Sequence, residues 1–125
     1  MSLLLNPRDV DFVLYELLDS ESLTQTDYYA AHDRQTFNAV IDAAKKLAEE
    51  KFAPFAAKLD ANEPTFDGER VHVIEELEQA VEAYVAGGFT SVAAAAEYGG
   101  MQLPWVVAQA ACAYIAAADV SAKIG

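Results

Sequence analysis

The sequence predicts an all-α domain of about five short helices, and three observations carry that reading. Apolar residues recur with a 3.6-residue period in several stretches, glycine and proline punctuate those stretches, and no segment alternates apolar with polar residues between hairpin turns. A chain of 125 residues with 54% hydrophobic content is long and apolar enough to bury one core. No fixed-period repeat is visible.

Val10, Val13, Leu14, Leu17 and Leu18 fall at i, i+3, i+4, i+7 and i+8, which predicts a first helix with Asp9, Asp11 and Glu16 off its apolar face. Asn6 and Pro7 supply a cap and a preset φ. Asp19 and Ser20 end the helix, because short polar side chains compete for backbone hydrogen bonds. The stretch from Thr24 to Tyr29 reads as a connector. The second helix follows a cap at Asp33, with Phe37, Val40, Ile41, Ala44, Leu47, Ala48 and Phe52 on one face and Lys45, Lys46, Glu49 and Glu50 turned away. Pro54 has no backbone donor and crowds the preceding turn, so a kink or restart is expected before Phe55 and Leu59. Asn62, Pro64, Asp67 and Gly68 spell a loop.

A third periodic stretch runs from about Val71 to Val85, with Ile74, Leu77, Val81, Tyr84 and Val85 inward and Glu75, Glu76, Glu78 and Glu82 outward. Gly87-Gly88 closes it. A short segment around Ser91 to Ala96 leads to Gly99-Gly100, a pair that opens backbone angles closed to other residues. Pro104 then starts a last helix, apolar nearly all round, which other helices must surround. Ile115 is expected at its buried centre.

The net charge of -12, from 20 acidic against 8 basic residues, argues against nucleic acid as a partner, since phosphate binding depends on cations that displace counterions. An anionic membrane surface is disfavoured for the same reason, and the most apolar stretch, Pro104 to Ala118, falls short of the roughly 20 residues that span a bilayer. Cys112 stands alone, so no intrachain disulfide forms, and no opening stretch has the form of a secretory signal; a cytoplasmic setting is the expectation.

Chemistry-bearing patterns are sparse. His32 and His72 sit in no spacing that brings two imidazoles to one helix face, which points away from a metal. A thiol among alanines, as at Cys112, is desolvated and poorly suited to act as a thiolate. The run Glu75, Glu76 and Glu78 reads as a wet helix surface, and neither glycine pair has the form of a phosphate-cradling loop. Composition and periodicity therefore give an acidic helical domain without naming a function.

Two separated motifs go further. The stretch Asn6-Pro7-Arg8-Asp9-Val10-Asp11-Phe12-Val13-Leu14-Tyr15-Glu16-Leu17-Leu18-Asp19 resembles the leader of acyl-CoA dehydrogenases that carry an N-terminal extension. Gly87-Gly88-Phe89, a gap, then Glu97-Tyr98-Gly99-Gly100-Met101-Gln102-Leu103-Pro104 is similar to that family's Gly-Trp stretch followed by Glu-Tyr-Gly-Gly-x-Gly-Leu-Pro. Between them, Ala43-Ala44 through Phe52-Ala53-Pro54 resembles the family's helix ending in Ala-Pro, and Asp60 to Val71 its acidic, glycine-containing loop. The resemblance covers essentially the whole chain. Phe89 stands where tryptophan is usual and Gln102 where glycine is common. Ala111 to Ala113 lacks an acidic residue often found there, and Ala116 to Ala118 with Asp119 stands where Ala-Asn is typical.

The resemblance divides the chain into an extension helix and connector over 1–32 and an N-terminal helical domain over 33–125, with Gly125 read as an interruption of a longer chain. It implies an enzyme of three parts, whose middle β-domain and C-terminal bundle supply the glutamate base and most FAD contacts. It further implies an acyl-CoA substrate, an electron-transfer acceptor and a homo-oligomeric full-length protein. No catalytic, cofactor-binding or metal-binding residue is assigned here, and neither flavin nor activity is expected of the isolated chain. Its expected share is a wall of the acyl pocket on the last helix, at Ala117, Val120 and Ile124. The competing expectation is a stand-alone acidic helical module that docks a protein partner without catalysis.

Overall fold

The computed structural model describes residues 4–119. Its elements are helices packed around one core, as the periodicity predicts, joined by one minimal hairpin. The first helix opens as α1 (Pro7–Asp11), with Asn6 as N-cap accepting the Arg8 backbone N–H at 3.0 Å and proline in the first turn. It then widens into a π-helical turn over Phe12–Leu17, closed by the Leu18 N–H bonding five residues back to the Val13 carbonyl at 3.0 Å. That winding breaks the 3.6 period. Leu14 alone of the predicted stripe is buried, while Val13, Leu17 and Leu18 are 42%, 65% and 52% exposed, a correction to the single inward face read from the sequence. Asp19, in the left-handed region at φ 48°, ends the helix where expected.

The second helix fits its pattern closely. Asp33 caps α2 (Arg34–Leu47) by accepting the Thr36 N–H at 2.8 Å, and Phe37, Ile41 and Ala44 are buried with Val40 and Leu47 packed beside them. Around Pro54 the helix restarts, as its ring and missing donor predict. The helix loosens into a π turn over Ala48–Phe52, a 3-10 turn follows at Ala53–Phe55, and α3 (Ala56–Ala61) continues. The wide turn carries the Ala53 N–H to the Ala48 carbonyl, so the chain absorbs the missing donor and the ring of Pro54 by unwinding ahead of them.

Beyond α3 the structure corrects the sequence reading at two points. Val71 and His72, expected to begin a helix, form strand β2 (Val71–His72), antiparallel to β1 (Thr65–Phe66), with Thr65 opposite His72 and Phe66 opposite Val71. Asp67 builds the turn: its Oδ1 accepts the Glu69 and Arg70 N–H groups at 2.8 and 2.9 Å, and Gly68 takes φ 101°. Helix α4 (Glu75–Ala86) therefore starts later, and its orientation differs too. Ala80 is its one buried residue, with Ile74, Leu77 and Tyr84 half-buried, whereas Val81 and Val85 are 43% and 54% exposed. A small residue facing the π turn of the second helix lets the two backbones approach, and that contact sets the rotation of α4.

Gly88, at φ 79°, turns the chain out of α4. The following loop is laced to itself by Met101 N–H to Ser91 O, Gln102 N–H to Ala94 O and Leu103 N–H to Val92 O, at 3.1, 2.9 and 3.0 Å. Gly100 is required by that lacing, since a Cβ there would lie 2.1 Å from the Ala94 carbonyl oxygen. Pro104 then leads into α5 (Trp105–Ala118), whose face of Val107, Ala108, Ala111, Tyr114, Ile115 and Ala118 is buried. The contact of α5 with α2 is the most extensive between any two elements, and Ile115 is 2% exposed, as its expected central place requires. No helix among the described residues is long and apolar enough to cross a membrane.

Candidate functional site

Of the predicted pocket wall, Ala117 lies on α5. The buried face of that helix packs into the domain, and the other side carries small residues: Ala110, Ala113 and Ala116 are half-buried and Ala117 is exposed, with Gln109 and Trp105 exposed nearer the helix start. Ala110, Ala113 and Ala117 fall at i, i+3 and i+7, so they form one stripe. Ala117 is thus accessible to whatever meets that side of the helix. Val120 and Ile124, the other two predicted wall residues, lie outside the described residues.

Recesses among the described residues lie beside the helices. Between the start of the first helix and the start of α2 is an open cleft of about 360 Å³ lined by Arg8, Asp11, Phe12, Tyr15, Glu16 and Arg34. Tyr15 anchors it: its hydroxyl donates to Asn38 Oδ1 at 2.6 Å, and the Arg34 guanidinium lies 3.9 Å over its ring. Burial pushes the Tyr15 phenol up to about 12, against the opposing pull of Arg34, so it stays protonated and donating at neutral pH. Beneath the second π turn, Phe52, Phe55, Leu59, Ile74, Leu77 and Ala80 line a slot with room for about 10 Å³, which corresponds to about one water.

The titratable residues singled out in the sequence are dispersed. His32 Nε2 lies 3.0 Å from the Gln102 carbonyl, which fixes that nitrogen as the N–H bearing one, since a carbonyl can only accept. His72 pairs with Asp67 across the exposed hairpin. The half-buried Cys112 neighbours Tyr84, whose phenol is pushed up by burial first and by that thiol second. Among the described residues no three His, Cys, Asp or Glu side chains converge as a metal site would need. Glu75 and Glu78 are exposed, as a solvated helix face requires, and Glu75 accepts from Gln79 at 3.1 Å; Glu76 departs from that reading, since it is half-buried at the edge of the slot and is held below the usual carboxylate range by its ion pair with Lys58.

The glycine-rich loop does not fit a flavin phosphate. Gly100 spends its missing side chain on the Ala94 backbone, and Gly99, though left-handed at φ 84°, follows a single 3-10 turn, not a strand. What sequence reasoning missed in this region is Gln102. It takes φ 54°, and its side chain bonds the Ala96 N–H and the Tyr28 carbonyl, 74 residues away in sequence in the second case. The signal for it was present as a departure, a glutamine where the resemblance expects glycine.

The family described as the acyl-CoA dehydrogenase N-terminal domain matches residues 34–125, so the matched span opens at the first residue of α2. No curated protein matches the chain.

Proposed function

Because the chain belongs to the acyl-CoA dehydrogenase family through this N-terminal domain, we propose that it serves a flavin-dependent enzyme that introduces an α,β double bond into an acyl-CoA thioester. The observation that carries the reading is the match over residues 34–125. Its physical complement is the alanine side of α5, where Ala117 is exposed while the opposite side is buried. Small side chains leave room for an apolar acyl tail, and contacts remote from the reacting carbons help to orient them. In this proposal Ala117 lines the acyl pocket, with Val120 and Ile124 continuing the wall. FAD and the glutamate base come from the middle and C-terminal parts that the resemblance implies, and no step of the chemistry is assigned to residues 4–119. An electron-transfer acceptor and a homo-oligomeric assembly belong to the same proposal.

The test is an assay of the full-length protein with a ladder of acyl-CoA lengths and an artificial electron acceptor. Flavin reduction by a thioester is expected, and Ala117→Phe should depress turnover of long acyl-CoAs more than short ones. A uniform effect of Ala117→Phe would defeat the pocket assignment alone. No reduction by any thioester would defeat the enzyme reading. The stand-alone interaction module would then be favoured, a reading supported by the exposed Phe12, Leu17 and Leu18.

A further inference from the structure

Gln102 occupies a conformation that disfavours any side chain, φ 54°, and every polar group it has is engaged. Its backbone N–H donates to the Ala94 carbonyl at 2.9 Å, and its side-chain Oε1 accepts the Ala96 N–H at 2.9 Å. Those two bonds hold the residue within its own loop. The other two leave it: Nε2 donates to the Tyr28 carbonyl at 2.6 Å, and the Gln102 carbonyl accepts from His32 Nε2 at 3.0 Å. Tyr28 and His32 both precede residue 34, where the family match begins. A glycine at 102 would adopt the same backbone without strain and retain the backbone bonds, but it has nothing with which to reach Tyr28.

We infer that Gln102 is a positioning residue that latches the connector of the N-terminal extension onto the loop leading into α5, making the extension a fixed strap on the domain. The connector is otherwise a series of short turns bonded locally, such as Thr26 N–H to Leu23 O and His32 N–H to Tyr29 O. Gln102 meets it at two points four residues apart. On the other side of the latch, Leu103 and Pro104 are buried and lead directly into α5, so the seat of the strap and the start of that helix are set by one residue. Further upstream, the extension is tied to α2 by the Tyr15 hydroxyl on Asn38 and by Arg34 over the Tyr15 ring. Latch and tie together hold both ends of the segment between them. This inference goes beyond the acyl-pocket reading and does not depend on it.

The test compares the full-length protein with Gln102→Gly and Gln102→Glu, using limited chymotrypsin digestion with the cuts mapped by mass, alongside thermal melts. In Gln102→Gly, cleavage after Tyr28 and Tyr29 should accelerate by about tenfold, because the connector loses its side-chain bond at Tyr28 and keeps only the backbone contact at His32, while the thermal midpoint holds or rises. Cleavage after Phe66, in the exposed hairpin, serves as the internal control and should not change. Unaltered cleavage at Tyr28 and Tyr29 would overturn the latch. A midpoint that falls in step with faster cleavage at all three sites would also overturn it, because Gln102 would then support the domain as a whole. Should Gln102→Gly fail to fold, Gln102→Glu decides. Its carboxylate can still accept from Ala96 but cannot donate to Tyr28 at neutral pH, so faster cleavage after Tyr28 and Tyr29 is expected and unchanged cleavage refutes the latch.

Discussion

Replacing Ile115 with alanine should lower the thermal midpoint of the domain by about 10–15 °C. Ile115 is 2% exposed and is the largest aliphatic side chain that α5 buries. The substitution deletes three carbons, and at about 0.8 kcal/mol each the lost burial amounts to about 2.4 kcal/mol. The remaining cavity adds to that, because α5 packs against α2 and the close-packed contact relaxes only in part, so a total of ~3 kcal/mol is expected. For a domain of this size each kcal/mol corresponds to about 3–5 °C. Ile115→Asp should go further and unfold a marginal domain, since it adds a buried carboxyl without a partner at a cost of several kcal/mol. Far-UV circular dichroism melts and urea titrations measure both. Gln109→Ala, on the exposed side of the same helix, is the control and should stay within about 0.5 kcal/mol of the parent. A fall of less than about 3 °C for Ile115→Ala would mean that α5 is not the central helix, and the packing argument would fail.

Two further outcomes follow from surface features. The Asp67 carboxyl is held down at about 2, first by the Arg70 N–H, then by His72 and the Glu69 N–H. Its folded value lies below the ordinary 3.8, so it favours the hairpin at pH values above that ordinary value and the benefit is lost as pH falls through about 2. An NMR titration in which the Asp67 side chain shows a midpoint near 3.8 would refute the turn geometry. The exposed Leu17, Leu18, Val85 and Trp105 should make the isolated chain self-associate, increasingly with salt, as screening shortens the reach of its -12 charge. Sedimentation at several salt levels checks this, and a strictly monomeric species throughout would count against it.

The parts of the fold legible in the sequence are those where local signals and burial agree. Asp33 caps α2 and the stripe from Phe37 to Phe52 packs as read; Gly88 turns the chain out of α4 and Pro104 leads into α5. Where periodicity was the sole guide, the structure departs from it. The hairpin escaped because two-residue strands are too short to show alternation, although Asp67-Gly68 between Phe66 and Val71 carries its turn chemistry. The face of α4 was misjudged because Ala80 is small, and a pattern weighted to large residues favours Val81 and Val85 over it. The first helix lost its stripe to a π turn that no residue type announces. As for the site, the exposed place of Ala117 on α5 was within reach of the sequence. The latch at Gln102 was not, because its partners at Tyr28 and His32 come together only once the chain has folded back over some seventy residues.

The π turn at Ala48–Phe52 acts as a phase shifter for everything that follows it. A straight α-helix advances about 100° per residue, and one extra residue in a turn rotates the downstream rod backward by about that amount relative to the upstream pattern. Upstream, the rod directs Phe37, Ile41 and Ala44 into the main core. Downstream, Phe55 and Leu59 line the slot shared with Ile74 and Leu77 of the α4 side. Consecutive helical segments therefore serve two neighbours, and deleting one residue within the turn would swing Phe55 and Leu59 away from α4 while leaving the α2–α5 contact in register.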